Sequence, residues 1–294
     1  MWSFWARAPR RTRGALALAL HVALAVPSLG FAHEFWLAPS RYEAGRGEAV
    51  EIRNFVGDGF RGPGHPYEGE RAVRFTLRGS REHSLAPLAR DGSFVWARFV
   101  PADAGGAMVA WESGFSRNEL PADRFEAYLK EDGLDSALKL RRASGEKGPG
   151  KERYRRCAKT WIAGARDSAA VARATDPIGL PLEIVPLDVP GHAATLRVRV
   201  LFEGKPLAGA LVRAWRAPYG EKGLLTNPES RGPAEETWQA RSDVEGLAVV
   251  PCVEAGEWLI GAVHMVPSAD RASAEWESNW ASLAFGRIVA APTP

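Results

Sequence analysis

A histidine at a protein's amino terminus is a chelating group within a single residue, and this chain puts one where a leader peptide would be cut. The segment Phe31-Ala32-His33-Glu34-Phe35-Trp36 follows a stretch that opens with Arg7, Arg10, Arg11 and Arg13. That stretch continues as an apolar run from Ala15 to Val26 and closes with Pro27, Ser28, Gly30 and Ala32. A basic start, a short apolar middle and small residues three and one positions before the cut form the pattern of a secretory signal peptide. The run is short for a bilayer span, and no second stretch of about 18 apolar residues follows it, so no membrane anchor is expected. Cleavage after Ala32 would leave His33 first in the mature chain, in an oxidising, periplasmic setting. A free α-amine (~8) and an imidazole (~6.5) both deprotonate readily near neutral pH. Together they suit a divalent metal such as copper or nickel. The competing reading makes His33 merely the residue after a convenient cut.

Removing 32 of 294 residues leaves 262, enough for one large or two ordinary domains. The formal charge is +3, but four arginines and no acids leave with the leader, so the mature chain carries −1. No single-sign field favours nucleic acid or an anionic membrane as partner. Arg153, Arg155 and Arg156 sit beside Glu152 and read as a solvated face. Cys157 and Cys252 are an even pair in an exported chain, which permits one disulfide or two buried thiols. The chain has no Cys-x-x-Cys, Gly-x-Ser-x-Gly, His-Glu-x-x-His or phosphate-cradling Gly-Lys-Ser/Thr motif. An enzyme is therefore not expected; a copper oxidase built on His33 would need a second facing histidine on an open surface.

The elements that must position such a site are mostly strands. Ala49–Asn54, Val73–Leu77, Phe94–Val100 and Met108–Glu112 alternate apolar and polar residues between Gly, Pro, Asp and Ser clusters, the mark of half-buried strands. Residues 33–115 thus read as a small antiparallel sandwich. Phe125, Tyr128 and Leu129, then Leu134 and Leu138, recur at helical spacing, so 116–165 reads as a helical connector with a linking strand. The β pattern returns in Leu196–Phe202, Ala210–Trp215, Trp238–Arg241, Leu247–Val250 and Trp258–His264, making 166–294 a second sandwich. The expected class is mainly all-β: two antiparallel β-sandwich domains joined by a helical connector. Trp36, Trp96, Trp111, Trp258, Trp276 and Trp280 read as sandwich core rather than a sugar-stacking platform.

Gly204-x-Pro206-x-x-Gly209-Ala210-x-Val212, Asp243-x-x-Gly246 and Gly256-x-Trp258-x-Ile260 resemble the transthyretin-like or carboxypeptidase-regulatory β-sandwich, which implies a fold and not an activity. The segments HEFWLAPSRY, ELPADRFEAYLKEDGLD, ERYRRCAK, WLIGAVHMVP and EWESNWASLAF, in that order, resemble an uncharacterised family of exported bacterial proteins whose members often carry the label of a periplasmic component of nickel or cobalt uptake. The resemblance spans nearly the whole mature chain. It implies a divalent transition metal (nickel, cobalt, copper or zinc) as ligand and an inner-membrane metal transporter as partner. His264, on an expected strand, would be the second ligand beside His33; Glu277 or Glu275 would add an oxygen, and His65 in its Gly-Pro loop is a further candidate. His83 and His192 read as surface loop residues. The alternative function is a non-catalytic envelope module with a structural or glycan-binding role.

Overall fold

Period-two patterning becomes strand almost everywhere it was expected, but one strand runs where the sequence reads as polar and solvated. The computed structural model describes residues 33–101, 106–164 and 168–288; the expected signal peptide and its cut lie outside them. The elements in chain order are β1 (Glu34–Pro39), β2 (Val50–Gly57), β3 (Gly64–His65), β4 (Ala72–Arg78), β5 (Glu82–Ser84), β6 (Ala97–Phe99), β7 (Ala107–Ser113) and β8 (Ser116–Leu120). Then come α1 (Ala122–Glu131), α2 (Asp135–Ser144), β9 (Gly150–Ile162), α3 (Ser168–Thr175), β10 (Leu182–Pro186), β11 (Thr195–Phe202) and β12 (Lys205–Pro206). The chain closes with β13 (Leu211–Ala217), β14 (Glu235–Arg241), β15 (Leu247–Pro251), β16 (Gly256–Pro267) and β17 (Trp276–Arg287).

The two expected sandwiches share a sheet. β9 pairs antiparallel with β7 on one side and parallel with β17 on the other, Glu152 to Thr160 lying opposite Trp276 to Ala284. This joins both halves in a nine-stranded sheet of order β14-β13-β16-β17-β9-β7-β4-β5, with β8 also on β9. The fold is mainly β and sandwich-like, as expected. Its division at residues 115 and 165 is not followed, since the described residues form one unit. The reason is the pairing of β17 with β9, a long-range contact that local patterning does not encode.

Successive side chains of a strand point to opposite faces, so the central sheet has two. On face A lie Cys157, Trp161, Ile260, Ala262, Ala281 and Leu283, packed with Leu182, Ile184, Val198 and Val250 of the smaller β10-β11-β12/β15 sheet. Face B carries Ala158, Ile162, Trp111, Leu259 and Ala284 under the β1-β2-β3/β6 sheet. Val263, Met265, Trp276 and Trp280 extend face B beneath α1 and α2, which contribute Phe125, Tyr128, Leu129 and Leu138. Trp276 and Trp280 share a face because an even spacing does so on a strand. Of the six tryptophans singled out from the sequence, all but Trp280 are buried. Each removes a large apolar area from water, on the order of 2–3 kcal/mol per side chain.

The basic run is the main correction to the solvated-face reading. Arg153 and Arg155 project from β9 onto face A. There Arg153 Nε donates to Glu277 Oε2 at 2.9 Å, and both guanidiniums lie over the Phe115 ring, at 4.4 and 4.8 Å. Arg156, one residue on, points to face B. Cys157 and Cys252 are buried free thiols in the same face-A core, and burial pushes each up to about 12, which holds them as inert thiols at neutral pH.

Candidate functional site

His33 meets a partner that the sequence did not suggest. β1 pairs antiparallel with β2, placing Glu34 opposite Gly57, and the next step along each strand brings His33 beside Asp58. The His33 Nδ1 and Asp58 Oδ1 atoms are 2.7 Å apart, with both side chains open to solvent. Arg156 Nη1 donates to the His33 carbonyl at 3.3 Å, tying the start of β1 to face B of the central sheet.

Asp58 is aimed by a tight hairpin. Arg61 N–H donates to Asp58 O at 3.2 Å, and Gly59 and Phe60 between them have φ of 57° and 59°. Two positive φ values in a two-residue loop make a type I′ turn, whose twist matches the flanking strands. The backbones approach so closely that a Cβ at Gly57 would lie 2.0 Å from Arg61 O, and one at Gly62 would lie 2.0 Å from Val56 O. The hairpin is also gripped from the C-terminal half. Arg231 Nε donates to Phe60 O at 2.9 Å, its guanidinium sits 4.3 Å over the Phe60 ring, and its Nη1 pairs with the buried Glu257 at 2.9 Å. Gly57→Ala should therefore force the hairpin open and destabilise the fold by about 2–3 kcal/mol. Urea denaturation beside a Gly232→Ala control, where a Cβ meets nothing within 4 Å and the backbone is not left-handed, checks this; equal losses would refute the close-approach argument.

Of the other expected ligands, none joins His33. His264 pairs with Asn279, and Glu277 lies two residues before Asn279, so both side chains project onto face A, whereas Arg156 and β1 occupy face B. His264 packs edge-on against Phe202, ring centroids 4.6 Å apart, and burial lowers its pKa. Glu277 is held by Arg153 and Arg155, while Glu275 Oε2 accepts from Lys151 N–H at 3.4 Å. A sheet stands between these residues and His33, which bars a shared ion with bonds near ~2 Å. His65 is on β3 of the sheet that covers face B, but far from His33. It pairs with Asn54, four residues up β2 from Asp58 and on the opposite flank from β1, which is about 13 Å along and about 10 Å across. Among the described residues no group of three or more His, Cys, Asp or Glu side chains is placed to hold a metal ion. The candidate site is thus His33 and Asp58. Only a Gly-Asp-Gly turn marked Asp58 in sequence, and that reads equally well as loop chemistry.

Beneath this edge lies a buried acidic patch. Glu34 and Asp132, with Arg213, line a small cavity of about 30 Å³ walled by Trp215, Leu259 and Trp280. Burial raises Glu34 to about 8, reinforced by the charges of Asp58 and Asp132, and one of its carboxylate oxygens is buried without a hydrogen-bond partner. Burial also raises Asp132 to about 7, although Arg213 Nη1, 3.4 Å away, acts against it. A carboxyl whose folded pKa exceeds its unfolded one binds its proton more tightly when folded. Its contribution to stability is complete below about pH 4 and is lost as pH rises towards 7. Asp132→Asn should flatten that decline and leave the variant about 3 kcal/mol more stable than the parent at pH 8 relative to pH 4. Urea midpoints across pH 4–8 measure this, and parallel curves for parent and variant would contradict it.

A third feature is a larger cavity, of about 180 Å³, between the β1-β2-β3/β6 sheet and face B. Phe35, Trp96 and Trp111 form its apolar wall, and Arg156, His65 and Tyr154 give it a polar side.

A mainly β, layered protein with an open histidine–carboxylate pair at the start of its first strand is the class that fold and site define. Residues 30–266 match the family described as Domain of unknown function (DUF4198), and the chain belongs to that family. No curated protein matches it. Among solved structures, the D0-D1 domain of Intimin aligns at 10% identity over 86% of this chain and 97% of that one, with a TM-score of 0.18, a value too low to indicate a shared fold. No helix among the described residues is long and apolar enough to cross a membrane.

Proposed function

We propose that this protein is exported to the periplasm, is cut after Ala32, and captures a divalent transition metal ion as cargo at its new amino terminus. Nickel, cobalt, copper and zinc are all within reach of the donor set. The His33 amine and imidazole supply two nitrogens, and the Asp58 carboxylate, rather than Glu277, supplies the oxygen. The observation that carries this reading is the 2.7 Å approach of His33 Nδ1 to Asp58 Oδ1 at an open edge. Ligand atoms bound side by side to one such ion lie about 3 Å apart, given bonds of about 2.0–2.2 Å. Two residues with three donors leave coordination positions free, which suits reversible capture and hand-over to a membrane transporter better than permanent storage. No catalytic step is assigned. The rigid layered body holds the pair in place through Arg156 and the Asp58 hairpin.

Calorimetric titration of the exported protein with nickel, cobalt, copper and zinc tests this, with the mature amino terminus confirmed by mass spectrometry. One-to-one binding should weaken sharply when a single residue is added before His33, because the added peptide bond converts the amine into a non-ligating amide. Asp58→Asn should weaken it about tenfold. Binding indifferent to the added residue, or no binding of any of the four metals, would overturn the proposal.

A further inference from the structure

The partly buried guanidinium of Arg156 lies under β1 with no carboxylate in contact among the described residues. It lies 5.3 Å over the Phe35 ring and 5.5 Å from Tyr154. Its side chain bonds the neutral His33 carbonyl and the Tyr154 hydroxyl. No carboxylate among the described residues lies within ion-pair distance of it, whereas Arg153, on face A, donates from both Nε and Nη2 to Glu277 Oε2. A cation taken out of water without a carboxylate in contact is expensive, and burial lowers the pKa of Arg156, opposed in part by the more distant charge of Glu34. The other charged groups of the cavity leave the Arg156 charge uncancelled: Arg71 and Glu68 in the lining pair with each other at 2.7 Å. His65 is held below its ordinary value by burial and by the charge of Arg156, with Glu68 acting against them and Arg71 with them.

The remaining lining is suited to an apolar body. Phe35 and Trp111 are stacked at 4.8 Å, and Trp96 tilts against Trp111 at 5.3 Å, so the wall is rigid and already assembled. Ser116, on the strand β8 at the margin, and Tyr154 add hydroxyls to the lining. An apolar cleft with a few convergent polar groups is the usual form of a small-molecule site.

We infer that this cavity binds a small aromatic monocarboxylate, its carboxylate paired with Arg156 and its ring against Phe35, Trp96 and Trp111. The site is separate from the histidine–carboxylate pair and does not depend on metal capture, so it is tested in chelator-treated buffer. The probe is 4-hydroxybenzoate, with 4-hydroxybenzamide as the neutral isostere, followed by calorimetry and by tryptophan fluorescence. The acid should bind one-to-one and at least about tenfold more tightly than the amide, because only the acid neutralises the guanidinium. Arg156→Gln should reduce its affinity about 30-fold or more. Since Arg156 also holds the start of β1, Ser116→Trp provides a second variant. It fills the cavity from the partly exposed edge strand and should abolish binding without touching the core. Failure of 4-hydroxybenzoate to bind the folded parent protein, equal affinity for acid and amide, or binding unchanged by Ser116→Trp would each overturn the inference.

Discussion

Lys159→Met should destabilise the protein by about 3–5 kcal/mol, because it strands a charge in the middle of the fold. Lys159 Nζ lies 2.7 Å from Glu183 Oε1, and both side chains are only 1% exposed. The pair bolts β9 of the central sheet to β10 of the covering sheet across the face-A core. Glu183 does more than pair: its two carboxylate oxygens accept from the backbone N–H groups of Ile178, Gly179 and Leu180 at 2.8, 2.9 and 3.2 Å. An asymmetry follows. After Lys159→Met the carboxylate keeps three donors, whereas Glu183→Leu leaves a buried ammonium and three orphaned N–H groups. Glu183→Leu should therefore be the worse of the two. The double variant should recover only part of the loss, since an apolar pair cannot satisfy the loop. Thermal denaturation would read the first change as a fall of about 10 °C. A loss below about 1 kcal/mol for either single variant would show that water reaches the pair.

His33→Ala should lower affinity for nickel by about 100-fold or more, the largest functional effect expected of any single substitution here. The imidazole is the one ring nitrogen placed at the site, and its loss breaks the chelate with the amine of the same residue. His264→Ala and Glu277→Ala should leave affinity unchanged, because both project from the opposite face of the central sheet. This comparison separates the site argued above from a ligand set shared across the chain. Equal losses in His33→Ala and His264→Ala would mean that the two come together in solution, against the topology.

Local order was legible in the sequence where its cause was local. Alternation in Val50–Asn54 and Val73–Leu77 predicts strands because the period of a pleat is two. The 3.6-residue recurrence of Phe125, Tyr128 and Leu129 predicts α1, whose buried residues they are. Alternation also reports that one face of a strand is apolar, but not which of two sheet faces it joins. That gap is why His264 and Glu277 looked available to His33. The same gap hid β9. Its N-terminal half is Arg-rich because it lies at the margin of both faces, where arginines can stack on Phe115 and Phe35 and reach carboxylates or carbonyls. Charge alone read that pattern as solvated surface.

The sequence by itself determined a mainly β protein, two helices after the first group of strands, and a histidine two residues ahead of a buried aromatic, Phe35, at the start of β1. Those features follow from side-chain periodicity, propensity and short-range turn chemistry, which act within a few residues. The tertiary structure alone decided that both halves share one sheet, that Asp58 stands beside His33, and that Arg156 has no carboxylate within ion-pair distance among the described residues. Each of these depends on backbone pairing between distant segments: β17 with β9, and β1 with β2 under the grip of Arg231. The free energy of such pairing comes from burying whole faces together rather than from any local signal.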